Sequence, residues 1–162
     1  LRVILQAMAR LLKREQLHYV ICGEGPDMPF LQKLTRQLHL EERVHPLGYR
    51  TDIPDMLGAA DIFCMPSRRE GCGMAALEAM AAGLPLITVR SHGTKTYAEK
   101  GESGFCLKGD LVTSCADAIE QLADNKLLRR QMGARNRAAA TAFSDADRMM
   151  LLRGYYQKAL GD

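Results

Sequence analysis

The sequence predicts an α/β domain, a parallel sheet with helices on both faces. Amphipathic segments alternate with short apolar runs, which is the pattern of consecutive strand–helix–strand units. Glycine-containing turns follow several of those apolar runs. The 162 residues, 47% of them hydrophobic and 25% charged, suit one globular domain that can bury a core.

Composition excludes several classes of protein. The net charge of +3, the lack of tryptophan and the lack of a basic stripe with interleaved aromatic residues argue against nucleic-acid binding. No apolar run approaches the 18 residues of a transmembrane helix, and no secretory-signal pattern occurs. Five cysteines without a C-x-x-C pair predict neither a zinc site nor a disulfide framework, and favour a reducing cytoplasm. We expect Cys22 and Cys64 to be buried.

The first third of the chain predicts two helices and a strand. Residues 1–12 have amphipathic helical spacing, and residues 18–22 form a short apolar run followed by the turn Gly23-Glu24-Gly25-Pro26. Asp27 is expected to cap the next helix, with Pro29 in its first turn. The expected buried stripe of that helix is Phe30, Leu31, Leu34 and Leu38, and His39 is expected at the surface near its end.

The middle of the chain continues the alternation. Residues 44–47 predict a strand that Gly48 ends. Asp52 and Asp55 are spaced as in a capping box and predict a short helix that ends near residues 58–60. Residues 61–65 predict the next strand.

Residues 68–89 are the centre of the functional prediction. Small, unbranched helix formers predict a helix over residues 74–82. Gly83 and Pro85 are expected to end it, and the apolar run 84–89 predicts the following strand. Together these elements form a strand–helix–strand unit with a right-handed crossover.

The last third predicts one more strand and three helices. Residues 105–107 are expected to form the strand, and Asp110 to cap a helix over residues 111–123. A basic helix over residues 127–142 is expected to pack on Leu127, Leu128 and Met132 and to present its charges to solvent rather than to an anionic surface. A final helix is expected after Ser144.

The loop before residue 74 has the properties of a phosphate site. Gly71 and Gly73 allow a sharp turn, and the first amides of the following helix lack intrahelical acceptors at the positive end of its dipole. Glu70 and Glu78 bracket these amides, at about 12 Å and roughly 80° from each other if the intervening residues are helical. Because carboxylates only accept hydrogen bonds, they suit sugar hydroxyls. The segment therefore predicts a diphosphate flanked by two hydroxyl-bearing rings.

Residues 70–85 resemble the E-x7-E segment of retaining glycosyltransferases of family 4; they read Glu-Gly-Cys-Gly-Met-Ala-Ala-Leu-Glu-Ala-Met-Ala-Ala-Gly-Leu-Pro. Those enzymes have the GT-B architecture of two facing Rossmann-like domains. The resemblance implies that Glu70 contacts the donor sugar as the catalytic-site carboxylate. It also implies that the amides of Gly71, Cys72, Gly73 and Met74 contact sugar hydroxyls and diphosphate, and that Glu78 holds the ribose. The family usually has an aromatic residue where this chain has Cys72. Since the backbone is expected to make that contact, the difference has little consequence.

Two further loops match the same family. Gly23 lies in a G-x-G-P turn, interpreted equally as ligand contact or as an ordinary strand-to-helix turn. Gly48-Tyr49-Arg50 occupies the place where the family's loop meets the nucleotide base, mainly through backbone. Tyr49 and Arg50 are therefore candidate donor contacts, with a solvated loop charge as the alternative for Arg50. His92, in a loop the family places beside the donor, is interpreted as a loop residue.

The resemblance also implies that this chain is one of two domains of a larger protein, each with its own role. It places a strand and a basic loop before residue 1, preceded by an N-terminal acceptor domain. Residues 1–162 would then be the nucleotide-sugar-binding domain without its first strand and with little activity alone. The implied reaction is transfer from a nucleoside diphosphate sugar in bacterial polysaccharide or lipopolysaccharide synthesis, with no cofactor and no metal. A cytoplasmic location is expected, with peripheral association of the whole protein at the inner face of the membrane as an alternative.

Other classes compete for the same residues. Gly71-x-Gly73-x-x-Ala76 also satisfies a dinucleotide-binding fingerprint, and Arg90 could suit the 2′-phosphate of NADP. That interpretation leaves Glu70 and Glu78 without a role, and residues 66–70 separate the strand from the first glycine. A nucleotide-binding domain without catalysis is the third hypothesis.

Overall fold

The computed structural model describes residues 1–67, 73–89 and 103–143. Its helices are α1 (Arg2–Arg10), α2 (Met28–Gln37), α3 (Ile53–Ala59), α4 (Met74–Ala82), α5 (Leu111–Asp124) and α6 (Lys126–Ala140), followed by a 3₁₀ turn at Thr141–Phe143. Its strands are β1 (Tyr19–Cys22), β2 (Val44–Gly48), β3 (Phe63–Met65), β4 (Leu86–Val89) and β5 (Gly104–Leu107). The predicted alternation of helices and strands is confirmed over these residues. The predicted final helix lies outside them.

The strands are parallel, as predicted, but they form two sheets. β1 pairs with β2, and β3, β4 and β5 form the second sheet in that order. The β1–β2 register runs from Tyr19 opposite Val44 to Cys22 opposite Gly48, with an irregularity in the pairing between Ile21 and Cys22. No local pattern predicts this division, because the strands of both sheets have the same apolar character.

One hydrophobic cluster joins both sheets to helices on one face. It contains buried residues of α1, of β1 and β2, of β4 and β5, and of α5. Ile4 and Leu5 of α1 are at most 1% exposed and lie at its centre. Helix α1 packs against α5 and α2. The two sheets are therefore parts of one folded unit.

A second cluster covers the other face of the three-stranded sheet. Ala76, Leu77, Ala79 and Met80 of α4 are buried there against Leu84 and Leu86, with residues of α3 and β3 around them. The small alanine side chains let α4 approach its neighbours closely, and α4 also packs on α6. Helices thus lie on both faces of this sheet, as expected for a doubly wound fold.

The helices after β5 are capped by side chains. The carboxylate of Asp110 accepts hydrogen bonds from the Thr113 hydroxyl and, at 3.1 Å, from the Val112 amide. These two donors hold the pKa of Asp110 below its usual value. The stability they confer is present above the unfolded-state pKa and is lost as the pH falls through the lowered folded-state pKa. The predicted capping role of Asp110 is confirmed.

Replacing Asn125 by alanine should destabilise the junction of α5 and α6. Its side-chain oxygen accepts from the Leu128 amide at 2.9 Å and so caps α6. Loss of such a cap costs about 1 kcal/mol, which corresponds to a fall in Tm of about 2–4 °C for a domain of this size. Thermal unfolding followed by circular dichroism measures it. Asn125→Asp keeps the acceptor and is the control; equal losses in the two variants would contradict the capping role.

Several local predictions are wrong, three because neighbouring elements leave the residues uncovered and one because of a competing ion pair. Cys22 is exposed because nothing in the described part of the chain covers its side of β1. Phe30 is 51% exposed and Leu127 is 66% exposed, since both occur in the first turn of their helices, where neighbouring elements do not reach them. The capping box at Asp52 does not form, because the Asp52 carboxylate pairs with Arg50 and makes no cap hydrogen bond.

Candidate functional site

The N-terminal end of α4 has the features predicted for an anion site. Gly73 precedes the helix in the left-handed conformation, with φ 66° and ψ 50°, and no side chain caps the helix. The Gly73 carbonyl accepts from the Ala76 and Leu77 amides at 2.8 and 3.2 Å. The Met74 and Ala75 amides are the first two of the helix, and such amides have no intrahelical acceptor. These two N–H groups lie at the positive end of the helix dipole, so they are candidate donors to a ligand.

Glu78 stands on the exposed side of the same helix. Met74, Ala75 and Glu78 are all exposed, while Ala76 and Leu77 between them are buried. Glu78 is four positions after Met74, which is about one turn, or about 6 Å along the axis. The carboxylate is thus on the accessible face of α4, one turn from the first amides of the helix. This arrangement suits a ligand with a phosphate at the helix end and hydroxyls farther along.

The loops after β1 and β2 come together, as the parallel topology predicts. The Gly23 amide donates to the Gly48 carbonyl at 2.7 Å. The Tyr49 amide donates to the Glu24 carboxylate at 3.4 Å. Gly23 and Gly48 both have positive φ angles, 129° and 67°, which favour glycine at these turns. Three of the predicted residues (Gly23, Tyr49 and Arg50) therefore belong to one joined pair of loops.

Two members of the site were not singled out from sequence. Glu24 accepts a hydrogen bond of 3.4 Å from the Tyr49 amide, and its carboxylate would lie 3.4 Å from a Cβ atom at Gly48, so it contacts residues 48–49. The sequence signal that could have identified Glu24 is its position within the G-x-G-P turn directly after a strand. The Ala75 amide was missed because the resemblance implied backbone contacts with the ligand only as far as Met74.

Tyr49 and Arg50 have different surroundings. Tyr49 is 75% exposed, so its ring can meet a ligand that reaches this loop. The Arg50 guanidinium is paired with Asp52: its Nε donates at 2.7 Å to one carboxylate oxygen, and a second donor reaches the other. This pairing lowers the pKa of Asp52 below its usual value. Arg50 is thus an ion-paired loop residue. Any contact of its guanidinium with a nucleotide sugar would have to be shared with Asp52.

Other predicted residues fall outside the described part of the chain. These are Glu70, Gly71 and Cys72, together with Arg90 and His92. The predicted spacing of Glu70 from Glu78 therefore stays a prediction. Gly73, Met74 and Glu78 define the described half of the segment.

A groove of about 570 Å³ lies away from these residues. It is formed by Gly83 after α4 and by one face of α6, including Arg130 and Arg137. Arg137 donates to the Ala82 carbonyl at 2.7 Å, close to the C-terminal end of α4. One of its arginines is thus engaged in neutralising the negative end of that helix. The groove adjoins the opposite end of α4 from Gly73.

Two kinds of feature do not occur within the described residues. No helix there is long and apolar enough to cross a membrane. No group of three or more potential metal-ligating side chains comes together within residues 1–67, 73–89 and 103–143.

Comparison with known proteins identifies the family. Residues 1–139 match the model of glycosyl transferases group 1. N-acetyl-alpha-D-glucosaminyl L-malate synthase of Bacillus anthracis is 33% identical over 135 residues, which are 83% of this chain and 35% of that protein. The chain thus spans about a third of this relative's length.

Solved structures share the fold. HepE of Anabaena, crystallised in complex with UDP, superimposes with a TM-score of 0.84 at 22% identity, over 97% of this chain and 44% of that one. The C-terminal domain of a group 1 glycosyl transferase, LpcC of Francisella tularensis, superimposes with a TM-score of 0.77 at 25% identity, over 87% of this chain and 77% of that one. The predicted architecture, the C-terminal half of a GT-B glycosyltransferase, is thereby confirmed, and the competing oxidoreductase interpretation receives no support. From the family match, together with the fold, we conclude that this chain belongs to the group 1 glycosyl transferases.

Proposed function

We propose that the complete protein is a retaining glycosyltransferase and that this chain is its donor-binding domain. The observation that carries the proposal is the start of helix α4, where no side chain caps the first amides and an exposed carboxylate lies one turn away. A nucleoside diphosphate sugar offers the complementary groups: phosphate oxygens for the amides and ribose hydroxyls for Glu78. The family match supports the reaction class.

We assign the base to the loops after β1 and β2. Tyr49 is exposed, and its backbone amide donates to the Glu24 carboxylate. A base lying there would meet the Tyr49 ring or the backbone of residues 48–50. We propose UDP as the nucleotide, supported by the crystallised complex of HepE with UDP.

Glu70 is proposed to contact the donor sugar, and the amides of Gly71 and Cys72 to extend the phosphate contacts. These roles rest on the E-x7-E resemblance. Because a preorganised set of amides stabilises the departing diphosphate without a metal ion, none of the assigned steps requires one. The acceptor is proposed to be an intermediate in polysaccharide or lipopolysaccharide synthesis, held by a preceding domain. The expected cytoplasmic location and association with the membrane's inner face remain part of the proposal.

Replacing Glu78 should weaken UDP binding about 10- to 100-fold. The expected loss follows from removing a charged hydrogen-bond acceptor, worth about 1.5–3 kcal/mol. Isothermal titration calorimetry of the complete protein with UDP, comparing the unmodified protein with Glu78→Ala, measures the change. Asp117→Asn, on the exposed side of α5, is the charge-loss control and should leave the affinity unchanged.

The same titration separates the competing functions. NADPH should give no heat of binding, and binding of NADPH without UDP would overturn the transferase proposal. An unchanged UDP affinity in Glu78→Ala would remove only the ribose assignment. Transfer of sugar by the 162-residue chain alone would contradict the proposal that a second domain is needed to hold the acceptor.

A further inference from the structure

Two histidine side chains meet on the two-stranded sheet, at the opposite end from the loops that follow β1 and β2. His18 directly precedes β1, and His45 is the second residue of β2. The Nδ1 atom of His18 lies 3.0 Å from the Nε2 atom of His45. The ring centroids are 5.3 Å apart and the ring planes are inclined by 25°, so the two nitrogens lie between the rings. The proposed donor site uses neither ring.

The parallel register brings the two rings to the same face of the sheet. Val20 is opposite His45 in the pairing of β1 with β2, and His18 is two residues before Val20. Because successive side chains of a strand alternate between its faces, His18 and Val20 point to the same side. His45 points to that side as well, since its neighbour Val44 is buried in the core. The pair therefore results from the positions of two histidines in neighbouring strands.

The backbone on both sides of His18 is held by Arg43. The Tyr19 amide donates to the Arg43 carbonyl at 2.7 Å. The Nε atom of Arg43 donates to the Leu17 carbonyl at 2.9 Å. Arg43 is only 8% exposed, and it directly precedes β2, in which His45 lies. One buried residue thus fixes the backbone near both histidines, which is what a preorganised binding site requires.

The pair is accessible from solvent. His18 is exposed and His45 is half-buried. Val20, on the same face of the sheet, is 42% exposed. In the part of the chain that the structure describes, neither ring makes a hydrogen bond besides the one to the other ring. An ion in solution can therefore reach both nitrogens, and no further partner has to be displaced.

The distance between the two nitrogens suits one shared metal ion. Zinc–imidazole bonds are about 2.0–2.1 Å long, so two such nitrogens lie about 2.9–3.4 Å apart for angles between a right angle and a tetrahedral one. The observed 3.0 Å is within this range. Two neutral imidazoles share a proton in an N–H···N hydrogen bond. A metal ion takes the place of that proton, which moves to the other nitrogen of the donating ring, and each ring turns slightly toward the ion.

We propose that His18 and His45 together bind one divalent transition-metal ion of the kind that prefers imidazole, such as Zn²⁺. No third His, Cys, Asp or Glu side chain joins them within the described residues, so water completes the coordination. Ions that require several oxygen ligands, such as Mg²⁺ and Ca²⁺, do not suit the pair. The bound ion links the start of β1 to the start of β2. It takes no part in sugar transfer, which is proposed for the other end of these strands.

Zinc binding by the complete protein tests the proposal. Isothermal titration calorimetry with ZnCl₂ at about pH 7.5, where imidazole is mostly neutral, compares the unmodified protein with His18→Asn and His45→Asn. Each substitution removes one of the two ligands and should weaken Zn²⁺ binding about tenfold or more. His39→Asn and Cys22→Ser are the matched controls, since both residues are exposed. Cys22 is about 13 Å farther along β1 than His18, so both control variants should bind Zn²⁺ like the unmodified protein.

A second measurement keeps the test decisive if a variant does not fold. In the unmodified protein with isotope-labelled histidine, the ring-nitrogen resonances of His18 and His45 should shift together as Zn²⁺ is added. Those of His39 should stay in place, and EDTA should reverse the shifts. Unchanged Zn²⁺ affinity in both pair variants, or ring resonances of the pair that do not respond to Zn²⁺, would overturn the proposal. Neither measurement involves a nucleotide, so its outcome is independent of the proposed donor chemistry.

Discussion

Gly104→Ala is expected to unfold the domain or to leave it severely destabilised. Gly104 begins β5 with φ +148°, and a Cβ atom there would lie 1.9 Å from the Leu86 carbonyl oxygen and 2.6 Å from the Leu86 nitrogen. Both are backbone atoms of the neighbouring strand β4, so no side-chain rotation relieves the clash. Adding the backbone strain to the overpacking, we expect a loss of about 3–5 kcal/mol in the free energy of unfolding. Urea unfolding followed by circular dichroism measures the change.

Gly58→Ala is the matched control for this variant. Gly58 lies within α3, and a Cβ atom there would meet nothing within 4 Å. Because alanine is the better helix former, that substitution should leave stability unchanged or raise it by up to about 1 kcal/mol. A Gly104→Ala protein as stable as Gly58→Ala would show that β4 and β5 do not approach as closely as described here.

Asn136→Ala is expected to cost about 2–4 kcal/mol. Asn136 is fully buried in α6, and its side-chain nitrogen donates to the Leu84 carbonyl at 2.6 Å and to the Ser103 carbonyl at 2.8 Å. Removing the amide leaves both carbonyls without these donors and creates a small cavity. The loss should appear as a lower urea midpoint with an unchanged m-value.

Asn136→Asp provides a contrasting variant. It keeps the volume, but an ionised carboxylate cannot donate to either carbonyl. We expect it to be at least as destabilising as Asn136→Ala at pH 7. If instead Asn136→Asp retained full stability at that pH, the two donated hydrogen bonds would not be what holds α6 to the starts of β4 and β5.

The order of elements could be predicted because each signal was local. Helix α4 begins at Met74 and ends at Ala82, as its composition and Gly83 indicated. The side-chain cap at Asp110 followed in the same way from residue type and position. These features depend on a few consecutive residues, so their outcome is determined largely before tertiary packing.

Features that depend on distant parts of the chain were not predictable. Cys22 looked like a core residue, and only the arrangement of the sheets shows that its side of β1 is exposed. The failed cap at Asp52 has a local cause: Arg50, two residues away, pairs with its carboxylate, and the spacing of Asp52 and Asp55 alone does not reveal that competition. The division into two sheets is a matter of which strands meet. At the candidate site, residue types identified Glu78 and the helix end, whereas the role of Glu24 depends on the approach of two loops.

Helix α4 is restrained at several points, and this has a consequence for binding. Gly73 sets its start, Arg137 holds the Ala82 carbonyl at its end, and alanines on its buried side pack against the neighbouring elements. The first amides of α4 and Glu78 are thus held in a fixed relation by folding alone. Because the conformational entropy of this helix is lost during folding, the proposed diphosphate would need little of its interaction energy to order it.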